Sequence, residues 1–120
     1  MLKPIKVIVH GAAGRVGQEV VKAVCGASDM QLVGAVDLKA AGDSLSLPDG
    51  SGSVPFSADV GHILARCQPD VMVDFTIAQA TMPAVRLAAE KGINLVIGTT
   101  GLSSADIKEI ERLAQEHGVG

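Results

Sequence analysis

Short, solidly apolar runs alternate along this chain with stretches of helical apolar spacing. Ile5–Val9 is a continuous run rich in β-branched residues, which predicts a strand buried on both faces. Gly14–Cys25 follows with Val16, Val20, Val21, Ala23 and Val24, a spacing that predicts a helix with one buried face and a stop at Gly26. Gln31–Val36 predicts a second strand, closed by Asp37. The first 37 residues therefore predict one βαβ unit, parallel and right-handed. Leu38–Pro55 changes character. Gly42, Asp43, Ser44, Pro48, Asp49, Gly50, Ser51, Gly52 and Ser53 predict a mobile loop. Structureless loops of that length are uncommon inside a domain, so Val54–Phe56 is expected to form a short strand.

The alternation then resumes. Asp59–Cys67 places Val60, Ile63 and Leu64 on one helical face, and Val71–Phe75 predicts the next buried strand. Gln79–Lys91 predicts a helix with Pro83 in its first turn, ended by Gly92. Ile93–Ile97 predicts a further strand, and Ser103–His117 a last helix. Ser103 with Asp106 three places on is a capping-box pattern, and Gly118 is the expected stop. The predicted fold class is α/β: a Rossmann-like, doubly wound parallel sheet in three α/β/α layers.

Composition narrows the reading. The 120 residues suit one domain, residues 1–120, and 48% hydrophobic content excludes disorder. No apolar run approaches the length of a membrane span. A net charge of −3 without a basic block, and only 2% aromatic residues, argue against nucleic acid as a partner. Cys25 and Cys67 lack a CxxC partner and are expected to be reduced and structural. No His/Cys/Asp cluster has metal-ligand spacing, so no metal is expected. The N-terminus lacks a secretory pattern, which points to the cytoplasm. The chain stops just after a predicted helix, where the next strand of such a sheet would begin, so we expect a fragment of a longer protein.

Candidate chemistry collects at the ends of predicted strands. Gly11-Ala12-Ala13-Gly14-Arg15-Val16-Gly17 lies directly between the first strand and the first helix. This GxxGxxG spacing allows a tight exit from the strand at Gly11 and a close approach of the backbone at Gly14 to a pyrophosphate. Gly17 allows helix–sheet packing, with the helix N-terminus facing the phosphates. A triphosphate-binding P-loop is excluded, because Gln18-Glu19 follows Gly17 in place of Lys-Ser/Thr. Asp37, 20 residues past Gly17, can accept hydrogen bonds from both hydroxyls of an adenine ribose and repel a 2′-phosphate. NAD(H) is therefore the expected cofactor, with NADP(H) tolerated because Arg15 or Lys39 could reach a 2′-phosphate. Asp74-Phe75-Thr76 and Gly98-Thr99-Thr100-Gly101 each end a predicted parallel strand, where ligands of such sheets bind.

Taken in order, the G-x-x-G-R-[hydrophobic]-G turn, Asp37, the DFT turn and the GTTG turn resemble the N-terminal nucleotide-binding domain of the dihydrodipicolinate reductase family. The resemblance runs from about Ile5 to Gly118. It implies NADH- or NADPH-dependent reduction of a dihydrodipicolinate-type cyclic intermediate in diaminopimelate and lysine synthesis. It implies that Gly11, Ala12, Ala13, Gly14, Arg15 and Val16 wrap the pyrophosphate and Asp37 holds the adenine ribose. Phe75 counts among the cofactor-binding residues. Gly98, Thr99 and Thr100 would line the nicotinamide side, with Thr100 near the substrate carboxylate. Members that use NADPH commonly carry Arg after the ribose-binding acid, where this chain has Leu38. His10 departs from the small residue usual before the first motif glycine, and we read it as a harmless substitution. The family's catalytic region, with a His-rich motif and a Lys, matches none of His10, His62 or His117. No catalytic residue is therefore expected in this chain, which would bind cofactor without turning over substrate. Family members tetramerise largely through that region, so a monomer or weak dimer is expected.

Three other readings fit parts of the pattern. The chain could be a free-standing NAD(H)-binding or redox-sensing module, separable by whether the reading frame continues past Gly120. It could be the cofactor domain of another amino-acid dehydrogenase, of the aspartate or homoserine type, although those do not usually pair a DFT strand with a GTTG turn. It could also be a structural fold with a degenerate site.

Overall fold

A computed structural model describes residues 3–120. Its elements follow the predicted alternation: β1 (Ile5–His10), α1 (Arg15–Gly26), β2 (Met30–Val36), β3 (Ser44–Ser46), β4 (Ser53–Ser57), α2 (Val60–Cys67), β5 (Val71–Asp74), α3 (Ala78–Glu90), β6 (Asn94–Ile97) and α4 (Ser104–His117). The six strands form one sheet in the order β3-β4-β2-β1-β5-β6. Every pairing is parallel except β3 with β4. From β1 the chain moves outward to β2 and β4, then returns to the other side of β1 for β5 and β6. The order reverses at β1, and the crevice outside the carboxyl ends of β1 and β5 is where a fold of this kind binds ligands.

Alternate side chains of the central strand feed two cores. Ile8 joins Val36 and Met72 beneath Ile63 and Leu64 of α2, Val85 and Ala88 of α3 and Leu113 of α4. Val7 and Val9 point the other way, to Val21 and Val24 of α1 and to Leu32, Ala35 and Val54. Helices thus cover both faces, as three α/β/α layers require. The guanidinium of Arg86 on α3 donates from Nε and Nη2 to the carboxylate of Glu109 on α4 at 2.6 and 2.9 Å, tying these two helices at the surface.

The structure departs from expectation in three places. Leu38–Pro55 is not a bare loop. Ser44–Ser46 pairs antiparallel with Ser53–Val54-Pro55, making the sheet mixed and not wholly parallel. Leu45 and Leu47 pack on the α1-side core, and Asp49 accepts from the N–H and hydroxyl of Ser51 to close the hairpin turn. The Gly/Ser-rich composition hid a hairpin held by two half-buried leucines. Gly26 is the last residue of α1, and Ala27 is its C-cap. Pro83 falls in the second turn of α3, counting from Ala78, and not the first. Its side chain is exposed, on the face of α3 away from the core. At α4 the expected capping box is present, with Ser103 and Asp106 exchanging hydrogen bonds at 3.1 Å, and Gly118 ends the helix in the left-handed region.

Candidate functional site

The glycine turn is shaped by steric necessity. Gly11 has φ +93°, and a Cβ there would strike the carbonyl of Phe75. A Cβ on Gly17 would overlap the carbonyl of Gly11, so α1 packs directly on the turn. Gly14 differs. It is the N-cap of α1, exposed, with φ −73° and ψ 167°, and a Cβ would meet nothing closer than the Gly11 carbonyl at 3.4 Å. The space beside it is open.

Internal hydrogen bonds decide which backbone donors remain for a ligand. The N–H groups of Gly11 and Ala12 both donate to the carbonyl of Val36, at 2.8 and 3.2 Å. Ala13 N–H donates to Oδ2 of Asp37 at 2.9 Å, and Gly14 N–H to the carbonyl of Gly11 at 3.1 Å. Ala12 is also buried in the α1-side core. Helix α1 has no side-chain cap, so its first N–H groups, those of Arg15, Val16 and Gly17, are left for a bound group at the positive end of the helix dipole. A phosphate fits there, at a turn that can form only because Gly11 and Gly17 carry no side chain.

Asp37 stands beside this turn, half-buried, with Oδ2 on Ala13 N–H and Oδ1 on Lys39 N–H, each at 2.9 Å. The carboxylate predicted to meet a ribose is thus also a brace for the glycine turn. It lies in a cleft of about 230 Å³ with His10, Gly14, Leu38, Thr76 and Ile77. Leu38 and Ile77 are 79% and 60% exposed and supply apolar walls to it. A second cleft, of about 300 Å³, is lined by Arg15, Val16, Phe75, Gly98, Thr99 and Thr100. The two share Gly14, Phe75 and Thr76, so they form one trough across the strand ends. The aromatic ring of Phe75 packs so closely on Gly98 that a Cβ there would force the ring to move. A larger hollow of about 580 Å³ lies at the opposite, amino ends of the strands among Leu64, Gln68, Pro69 and Lys91. Among these Lys91 is the only charged group, and no carboxylate or hydroxyl joins it.

Beneath the trough lies a polar network the motifs did not announce. Asp74 is fully buried. Its Oδ1 accepts from Thr76 N–H and Oγ1 at 3.1 and 2.6 Å, and from the hydroxyls of Thr81 and Thr99 at 3.2 and 3.0 Å. Its Oδ2 meets Nδ1 of His10 at 3.1 Å. Burial alone would push this carboxyl up, but the hydrogen bonds from His10 and Thr76, the charge of His10 and the bond from Thr99 outweigh it and hold the group below its ordinary range. His10 is therefore not an inconsequential substitution. It is buried and paired. The signal available in the sequence is that His10 and Asp74 are polar residues directly following the apolar runs Val7–Val9 and Val71–Val73.

Of the remaining sequence candidates, Thr100 is exposed on the second cleft, and Thr99 turns inward to the Asp74 network. His62 is exposed on α2, and His117 occupies the last turn of α4. Arg15 and Lys39 form no ion pair among the described residues. Among those residues there is also no group of three metal-ligating side chains, and no helix long and apolar enough to cross a membrane.

A sheet that reverses order at β1, a glycine turn that leaves three N–H groups at a helix start, and a trough running from an acid to a Thr-rich turn together define a dinucleotide-binding domain of the Rossmann class. Comparison with known proteins gives the family. The chain belongs to the family described as dihydrodipicolinate reductase, N-terminus, which matches residues 5–120. A 4-hydroxy-tetrahydrodipicolinate reductase of Dehalococcoides mccartyi is 56% identical over 119 residues, covering 99% of this chain and 45% of that protein. One from Syntrophomonas wolfei is 43% identical over 122 residues, covering 100% of this chain and 46% of that protein. A dipicolinate-bound dihydrodipicolinate reductase from Paenisporosarcina sp. TG-14 superposes with a TM-score of 0.82 at 30% identity, over 98% of this chain and 45% of that one. Homoserine dehydrogenase of S. aureus shares the fold alone, with a TM-score of 0.83 at 21% identity over 100% of this chain and 32% of that one. The chain spans about 45% of the length of the curated relatives it matches. The family uses NAD(P)H.

Proposed function

We propose that residues 1–120 are the cofactor half of an NAD(P)H-dependent reductase acting on a dihydrodipicolinate-type cyclic intermediate in diaminopimelate and lysine synthesis, in the cytoplasm. The observation that carries this reading is the continuous trough over the start of α1, with the Arg15, Val16 and Gly17 N–H groups at its middle. The pyrophosphate sits on those three donors. Gly11, Ala12, Ala13 and Gly14 form the wall of the turn and contribute shape more than hydrogen bonds. Arg15 adds a positive side chain at the same point.

The adenosine half lies in the cleft of Asp37, Leu38 and Ile77. Asp37 has two oxygens already bonded once each, and each retains a lone pair for a ribose hydroxyl. Its charge favours NADH. Lys39 and Arg15 leave NADPH a weaker second choice. The nicotinamide half lies over Phe75, Gly98, Thr99 and Thr100, with Thr100 toward the substrate carboxylate.

When bound, the reduced nicotinamide supplies a hydride. This chain's part is to bind, orient and shield it. Thr76 and Thr99, held by Asp74, keep the floor rigid, and Phe75 against Gly98 sets its height. No residue here is assigned to protonate or hold the acceptor beyond Thr100, so the chain by itself binds cofactor without turnover, as a monomer or weak dimer. Calorimetric titration with NADH and NADPH tests this. Saturable binding with NADH tighter is expected. Tighter NADPH would refute the role given to Asp37, and no binding of either at millimolar levels would refute the site.

A further inference from the structure

His10 ends β1 immediately before Gly11 and stands in register with Asp74, the last residue of β5. Burying a carboxylate is costly unless its oxygens are met by donors. The two oxygens of Asp74 are met unequally. Oδ1 gathers Thr76, Thr81 and Thr99. Oδ2 accepts from His10 Nδ1 and from no other group among the described residues. An ionised carboxylate only accepts, so Nδ1 carries the proton. Nε2 makes no hydrogen bond within the described residues. No buried side-chain nitrogen or oxygen there lacks a partner, so Nε2 is not sealed off; His10 borders the cleft of Asp37 and Leu38 and also a neighbouring one with Asp59 and Pro83.

The three threonines come from separate segments. Thr76 precedes α3, Thr81 lies within it, and Thr99 belongs to the turn after β6. Thr76 and Thr99 line the trough. The threonines also bond one another, Thr99 Oγ1 accepting from Thr76 N–H at 2.9 Å and from the Thr81 hydroxyl at 3.0 Å, and the Asp74 carboxylate is the group that joins this cluster to the His10 side chain of β1.

We propose that His10 is a positioning residue of the dinucleotide trough: by holding Oδ2 of Asp74 it fixes that carboxylate, and through it the Thr76 and Thr99 turns against the glycine turn. This rests on the dinucleotide reading above. Without the imidazole, Oδ2 is buried and unpaired, and the carboxylate turns to share the threonine donors between both oxygens. The floor of the trough then loses its fixed height beside Phe75.

The test compares three chains at a temperature where circular dichroism shows each folded. His10→Leu keeps bulk and removes the donor. His10→Asn places an amide nitrogen where Nδ1 stands. Calorimetry with NADH is expected to show His10→Leu weaker by about tenfold or more, as for a lost hydrogen bond to a buried charge. His10→Asn is expected to stay within about threefold of the parent, because the donor is restored. In the parent, imidazole nitrogen shifts are expected to show Nδ1 protonated and to move when NADH is added. That readout keeps the proposal falsifiable should His10→Leu not fold. Equal NADH affinity in His10→Leu and the parent, or no rescue by His10→Asn, would overturn the proposal. Imidazole shifts unmoved at NADH saturation would do the same. A parent chain that binds no NADH would overturn the dinucleotide reading itself, and this assignment with it.

Discussion

Replacing Gly14 by Val separates binding from folding more cleanly than any other change in the glycine turn. Gly14 has φ −73° and ψ 167°, extended backbone that a β-branched residue accepts. The nearest atom to an added Cβ is the Gly11 carbonyl oxygen at 3.4 Å, an ordinary contact. The folding cost is the weaker N-cap, about 1 kcal/mol, which lowers Tm by about 4–6 °C in a domain of this size. Binding suffers far more. Gly14 borders both clefts of the trough, and its side chain would stand over the Arg15, Val16 and Gly17 N–H groups. Hydrogen bonds to a charged phosphate contribute about 1.5–3 kcal/mol each, so losing two of the three weakens NADH by about a hundredfold or more. Calorimetry gives the affinity. Nicotinamide fluorescence gives a second reading against low protein background, because the chain has no Trp and no Tyr. A Gly14→Val chain that binds NADH within about threefold of the parent would refute the placement of the phosphate on the α1 start. A collapse in Tm would refute the claim that the space beside Gly14 is free.

Other substitutions probe the remaining assignments. Gly17→Ala places a Cβ on the Gly11 carbonyl and is expected to cost about 2–4 kcal/mol, seen as a lower urea midpoint; an unchanged midpoint would show that α1 does not pack on the turn. Asp37→Asn removes the charge while keeping an acceptor for Ala13 N–H, and is expected to shift the NADPH-to-NADH affinity ratio about tenfold toward NADPH, checked by paired titrations. Asp74 titrates below its ordinary value of 3.8 when folded, so the unfolded chain binds more protons in acid. Its contribution to stability is therefore full above pH 3.8 and lost as pH falls through the lowered folded value. Denaturant midpoints measured down the acid limb are expected to fall less steeply for Asp74→Asn than for the parent, although that variant is less stable near neutral pH.

Much of this architecture was legible because local pattern and tertiary environment agree. Val7–Val9, Leu32–Val36 and Val71–Val73 are apolar on both faces because the strands they form are covered on both faces by α1 and by α2–α4. The capping box at Ser103 and Asp106 is a local device and was read locally. Pattern failed where long-range packing decided the outcome. Leu45 and Leu47 sit among Gly, Ser and Asp, and only their burial against the α1-side core turns that stretch into a hairpin. Pro83 lies in the second turn of α3 whether counted from Ala78 or from Gln79, and the apolar N-cap Ile77 carries no capping signature to mark where the first turn begins. In the site, the glycine spacing revealed the turn but not which donors it uses internally. The N–H groups of Ala12 and Ala13 are directed to Val36 and Asp37, partners 24 positions away in sequence. The His10–Asp74 pair spans 64 positions and depends on β1 lying next to β5, which no local rule supplies.

The most direct test of the central claim is a backbone amide nuclear-magnetic-resonance titration of this chain with NADH. Saturable shifts are expected to be largest at Arg15, Val16 and Gly17, with smaller ones at Leu38, Thr76 and Thr100, and none at Gln68 or Lys91 at the far ends of the strands. Shifts confined to Gln68 and Lys91, or no shifts at millimolar NADH, would contradict that claim.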